Sequence, residues 1–188
     1  MEPKKSVLPY VFLAAGVLLA AFALYLWVSG RRQALASIDN AAISRGTGDH
    51  TVGQTAPDFT LDTPDGSTLS LSQFRGHPVV VNYWATWCPP CREEMPLFQR
   101  RHEKYSDLVI LAVDGGEDAG TVAKFVNQLN LTFPVLLDPE YKVESLLGIL
   151  GYPTTLFIDS DGIIRAKQIG QLNDRLLDEY LNKIGVSE

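Results

Sequence analysis

The chain has 188 residues, 46% of them hydrophobic and 20% charged, with a formal net charge of −6. That length holds one ordinary domain with an appendage, and the aliphatic content with only 2 Cys excludes a disordered chain, a collagen and a disulfide-stapled mini-protein. Residues 1–51 carry 5 Lys/Arg and 3 Asp/Glu, residues 52–188 carry 11 and 19, and a globular part at 11 − 19 = −8 lacks the basic face that nucleic acid requires.

From Val7 to Val28 no residue is charged. At about 1.5 Å of rise per residue such a helix spans about 33 Å, enough for a bilayer core of roughly 30 Å. Pro9 falls in the first turn, and Tyr10, Tyr25 and Trp27 lie near the ends, where amphipathic rings prefer the headgroup layer. A cleaved secretory leader is the competing reading, because Ala34-Leu35-Ala36 has the small-x-small pattern of a cleavage site. Its apolar core would be shorter, about 7–15 residues, and Arg31-Arg32 would fall just before the cut. The expectation is therefore a retained anchor over residues 1–30, comprising a short N-tail and a transmembrane helix. Flanking charges do not orient it: Lys4 and Lys5 precede the span, and Arg31, Arg32 and Arg45 follow. Residues 31–51 end in Gly46-Thr47-Gly48-Asp49-His50 and read as a juxtamembrane tether.

A folded domain is expected over residues 52–188. Phe59–Leu61 and Thr68–Leu71 alternate apolar and polar around Pro64-Asp65-Gly66 and predict a β-hairpin. Val79–Trp84 is apolar on both faces except at Asn82, the pattern of a buried central strand. A helix follows from Pro89 to Tyr105, then strand Leu108–Val113, helix Ala119–Leu129, strand Pro134–Leu137 and helix Glu140–Leu147. Thr155–Ile158 and Ile163–Gln168 flank the turn Asp159-Ser160-Asp161-Gly162, and Asn173–Ile184 closes the chain as a helix. Strands alternating with helices and ending in a hairpin and a helix predict an α/β fold with a mixed central sheet flanked by helices.

Both cysteines fall in Trp87-Cys88-Pro89-Pro90-Cys91, directly after the central strand and at the start of a helix. Free N–H groups and the helix macrodipole at that place favour a thiolate, the species that attacks a disulfide. Cys88 is the expected nucleophile, and Cys91, one turn on, the thiol that resolves the mixed disulfide. A zinc half-site would need further ligands, and His50, His77 and His102 show no paired spacing. A structural disulfide would close too short a loop to gain much chain entropy, and inert thiols would not need the prolines. Pro89 and Pro90 have no N–H to offer the Cys88 sulfur, which leaves the Cys91 amide. The expected pair is more reducing than a strong oxidase near −120 mV.

The run from Asn82 to Pro96, with Gly151-Tyr152-Pro153-Thr154-Thr155 downstream, resembles the TlpA/ResA group of thioredoxin-like proteins over about Ala56 to Ile184. The resemblance implies a thioredoxin-like fold with an N-terminal hairpin and a central insertion. Its function would be that of a membrane-anchored, extracytoplasmic thiol–disulfide oxidoreductase. Pro153 matches the cis-proline that faces the redox pair and turns the Tyr152 backbone toward Cys88. Trp87, Pro89, Tyr152 and Pro153 would then receive the substrate strand. Glu94 matches the group's acid, and its spacing from Cys91 puts both on one helix face, so it would take the Cys91 proton. Glu93 reads as a solvent-facing first-turn acid. Cytoplasmic thioredoxins have a buried Asp where this chain has Asn82, which cannot take a proton.

The resemblance also implies an N-in topology with the domain on the periplasmic face of the inner membrane, and a membrane thiol electron donor. Its protein-disulfide substrates would include apocytochrome c during cytochrome c maturation. No resident cofactor is expected, since the redox centre is the Cys88–Cys91 pair itself. Two other functions compete. A peroxiredoxin-like thiol peroxidase shares the Ala56-Pro57-Asp58-Phe59 opening, but only Thr86 of its peroxide cradle is present. A Cu(I) chaperone would use the two thiols as soft ligands and would want a third.

Overall fold

The computed structural model describes residues 52–187. The expected anchor (1–30) and tether (31–51) lie outside the described residues, among which no helix is long and apolar enough to cross a membrane.

The hairpin forms as expected from β1 (Thr60–Asp62) and β2 (Thr68–Ser70), paired in antiparallel register with Leu61 opposite Leu69. Leu71 leaves the strand and opens a 3-10 turn over Leu71–Phe74, closed by Gln73 reaching back to the Ser70 amide. Then come β3 (Val79–Trp84), α1 (Pro89–Lys104), β4 (Val109–Gly115), α2 (Ala119–Leu129) and β5 (Val135–Asp138). The chain ends with α3 (Lys142–Leu146), β6 (Thr154–Ile158), β7 (Ile164–Ile169) and α4 (Asp174–Lys183). Among the described residues one seven-stranded sheet runs in the order β2-β1-β5-β4-β3-β6-β7. Strands β3, β4 and β5 are parallel, while β6, β7 and the hairpin are antiparallel to their neighbours. This is the thioredoxin-like α/β fold, and α2 with β5, between β4 and α3, forms its central insertion.

Strand β3 explains why both faces must be covered, for all six of its residues are buried. Side chains alternate across a strand. Val80 and Trp84 join Phe98 of α1, Phe125 of α2 and Leu177 of α4 in one core, and Val79, Val81 and Tyr83 join Leu136, Val143 and Leu147 in the other. Asn82 points to the first face, under the start of α1. The exit of β3 therefore aims the chain at the helix start that carries both cysteines.

The helix α3 starts two residues later than its sequence pattern suggests, at the point where Asp138 takes up the amides of its first turn. The buried Asp138 carboxylate accepts from the Lys142 and Val143 amides at 2.8 Å each and from Glu144 at 3.0 Å, and the Tyr83 hydroxyl donates to it at 2.8 Å. Gly115 lies beside this junction. A Cβ there would come within 2.4 Å of the Tyr152 hydroxyl and 2.7 Å of the Tyr83 ring, so no larger residue fits.

Replacing Asp138 by Ala leaves three amides and a phenol without their acceptor. Urea denaturation of Asp138→Ala is expected to show a loss of about 2–4 kcal/mol, with Tyr83→Phe costing about 1 kcal/mol.

Candidate active site

Cys88 caps α1 with extended backbone, and prolines occupy the first two helical positions, where a missing N–H costs nothing. The Cys91 amide, the first N–H the helix offers here, donates to Cys88 Sγ at 3.3 Å. The two cysteines form a disulfide with their Cα atoms 5.3 Å apart. Cys91 has no exposure, whereas Cys88 retains 3% and lies on the wall of an open groove of about 530 Å³.

That groove brings together three of the four predicted substrate-facing residues, Trp87, Pro89 and Tyr152, whereas Pro153 is buried and does not line it. It is lined by Trp87, Cys88, Pro89, Pro90, Tyr141, Glu144 and the loop Ile149–Tyr152. Trp87 is 65% exposed and Leu150 87%, an unusual expenditure of apolar surface at the rim of a site. Tyr152 packs on Trp87 with ring centroids 5.5 Å apart and on Tyr83 at 5.3 Å, and its hydroxyl donates to Glu144. The Tyr152–Pro153 bond is cis, and Pro153 is anchored by the Gly170 amide donating to its carbonyl at 2.8 Å.

Glu94 lies one turn past Cys91 and, like it, has no exposure. Its Oε1 accepts from Asn82 Nδ2 at 2.8 Å and its Oε2 from the Leu172 amide at 3.1 Å. The same Asn82 nitrogen reaches Thr155 Oγ1 at 3.0 Å, a contact set by the β3–β6 register in which Asn82 faces Thr155. Burial disfavours the carboxylate more than the two donors favour it, and the Glu94 pKa is pushed up to about 7. At neutral pH the group is poised between acid and base. Glu93, by contrast, is exposed and accepts from the Gln171 side chain at 2.9 Å.

Two further groups escaped the sequence reading. Asp114, at the end of β4 and next to Trp84 in register, is fully buried, and Glu117 clamps Thr86 through both the amide (2.5 Å) and the hydroxyl (2.6 Å). The available signal was an acid ending an apolar strand ahead of Gly115-Gly116. Among the described residues no group of three or more His, Cys, Asp or Glu is placed to hold a metal ion.

The family model that matches the chain is described as the AhpC/TSA family and covers residues 52–167. The thiol-disulfide oxidoreductase ResA of Bacillus thuringiensis subsp. konkukian is 36% identical over 135 residues, which is 71% of this chain and 78% of that one. The thioredoxin-like protein YneN of Bacillus subtilis is 35% identical over 134 residues, with 69% and 78% covered. Among solved structures, a thiol:disulfide interchange protein DsbE from Chlorobium tepidum superposes with a TM-score of 0.68 at 31% identity, covering 72% of this chain and 99% of its own. StoA from Bacillus subtilis gives 0.58 at 26% identity, with 66% and 96% covered.

The raised Glu94 pKa has a sign in stability. Folding binds a proton between the unfolded value near 4.5 and the folded value near 7, so the stabilisation is full below pH 4.5 and lost as pH rises through 7. Urea unfolding of the oxidised protein is expected to lose about 2–3 kcal/mol from this group between pH 5 and 8, a share that disappears in Glu94→Gln. Disulfide-exchange assays are expected to slow in Glu94→Gln and stay near wild type in Glu93→Gln. Equal small effects would remove Glu94 from the proton path.

Proposed function

The chain belongs to the AhpC/TSA family and is a thiol–disulfide oxidoreductase of thioredoxin-like fold, and from that premise we propose that it works as a membrane-tethered reductase of extracytoplasmic protein disulfides. The observation that carries the reductive reading is the unequal placing of the two sulfurs. Cys88 opens on an apolar groove, while Cys91 is fully buried one helical turn before Glu94, whose own burial pushes its pKa up to about 7.

The chemistry starts from the reduced pair. The Cys88 thiolate attacks one sulfur of the substrate disulfide; that S–S bond breaks, the mixed disulfide forms, and the other substrate sulfur leaves and takes a proton. Glu94 then accepts the Cys91 proton, directly or through one water. The Cys91 thiolate attacks Cys88 Sγ, forms the Cys88–Cys91 disulfide of this structure, and releases the second substrate sulfur as a thiol after protonation. The substrate gains two electrons from the cysteine pair and two protons, one from the Cys91 thiol by way of Glu94 and one from solvent, to which the Cys88 thiol had already given its own. Trp87, Pro89, Tyr152 and Pro153 hold the substrate segment against Cys88 during both steps.

The uncharged stretch Val7–Val28 and the resemblance to anchored relatives support the tether, the extracytoplasmic side and the inner membrane as location. In an oxidising compartment the pair needs a continuing source of electrons, which supports a membrane thiol-transfer donor. Apocytochrome c, whose haem-binding cysteines must be reduced before attachment, is the proposed substrate. The peroxidase reading has less support, because the Thr86 hydroxyl that a peroxide cradle would use is bound to Glu117.

In membranes of the native host, Cys91→Ser is expected to accumulate mixed disulfides through Cys88 with extracytoplasmic proteins, c-type apocytochromes among them. Capture of cytoplasmic proteins alone would overturn the proposed location. Purified reduced protein is expected to reduce insulin disulfides, to turn over far less with hydrogen peroxide, and to bind no Cu(I) at micromolar concentration.

A further inference from the structure

The loop Ala85–Trp87, which carries the chain from β3 to Cys88, is held from outside by one side chain. Glu117 Oε2 accepts the Thr86 amide at 2.5 Å and Oε1 accepts the Thr86 hydroxyl at 2.6 Å. On the far side Arg92 Nη1 donates to the Thr86 carbonyl at 3.1 Å while its guanidinium lies over the Phe125 ring. Glu117 is half-buried and in turn leans on Asp114. The Glu117 amide donates to Asp114 Oδ1 at 3.1 Å, which ties the two acidic residues together at the end of β4. Asp114 has no exposure, and its Oδ2 is buried with no donor among the described residues.

Two ionised carboxylates cannot share a buried corner without strong repulsion; one proton between them turns the contact into a hydrogen bond. We infer that Asp114 and Glu117 are a proton-sharing acid–carboxylate pair that positions the Thr86 loop, and through it Cys88. The inference rests on the thiol–disulfide reading for its importance, not for its geometry. Protonated Asp114 donates to Glu117, whose oxygens keep both acceptor bonds to Thr86. Loss of the proton makes the pair repel, and the clamp on Thr86 loosens.

The surroundings agree on the sign. Asp118, on the same loop, is ionised and held by the Thr121 amide and hydroxyl, so it adds to the repulsion. Asp138 on β5 spends its charge on the α3 amides and the Tyr83 hydroxyl. From β3 and the loop that follows it the neighbours are Trp84 and Thr86, which do not titrate, and Arg92 of α1 is engaged at the Thr86 carbonyl. Burial and the Glu117 carboxylate together push the Asp114 pKa up to about 8. Both residues are therefore positioning residues, since neither touches a sulfur.

The test uses the oxidised protein, in which no thiol titrates. The amide proton of Thr86 is followed by NMR from pH 6 to 9.5. Wild type is expected to show a step in its shift near pH 8, retained in Glu94→Gln and lost in Asp114→Asn, whose amide donates to Glu117 at every pH. A Thr86 amide without a step in wild type, or an unchanged step in Asp114→Asn, would overturn the pairing. Should Asp114→Asn not fold, Glu117→Gln serves: it is expected to lose the step and to exchange the Thr86 amide with solvent at least about tenfold faster. Insulin reduction at pH 7 reports separately on the thiol–disulfide reading, which this titration leaves untouched.

Discussion

Everything at the redox end of this molecule is arranged around one carboxyl group taken out of water. Glu94 sits between Asn82 of β3 and the Leu172 amide ahead of α4, with no contact to solvent. A lone buried carboxylate is expensive, and a carboxylate with two neutral donors is affordable only near its titration point. That balance produces a group able to take a proton at neutral pH and to return it. The register of β3 against β6 matters for the same reason, because it brings Thr155 Oγ1 to the same Asn82 nitrogen that donates to Glu94.

The helix N-terminus then divides labour between the cysteines. Pro89 and Pro90 start the helix without donors, so the Cys91 amide is the nearest one to Cys88. Cys88 sits at the groove with that one donor, and Cys91 is buried one helical turn before Glu94. Around them the aromatic series Trp87, Tyr152 and Tyr83 continues from the rim of the groove into the core, tied down at Glu144 and Asp138.

Much of this was legible in the sequence where the signal is local. The turn at Pro64-Asp65-Gly66, the apolar run of β3, the helix Ala119–Leu129 and the two cysteines after a strand each carry their physics within a few residues. The cis bond at Pro153 and the role of Glu94 came from resemblance, since neither proline isomer nor burial is visible in spacing. Contacts closed by the fold were invisible. Asp138 reads as an ordinary strand-end acid until α3 turns its amides onto it. Asp114 reads as the first loop residue after Val113, yet β4 continues two residues further and buries it beside Trp84. Nothing near Leu172 announces that its amide will meet a carboxylate 78 residues earlier.

The most direct measurement is the infrared carboxyl band of Glu94, isolated as the difference between wild type and Glu94→Gln in the oxidised protein. The account predicts a protonated-acid band present at pH 5 and lost on alkalinisation with a midpoint close to 7. A difference band that has already vanished by pH 5.5, as for an ordinary solvated glutamate, would contradict it.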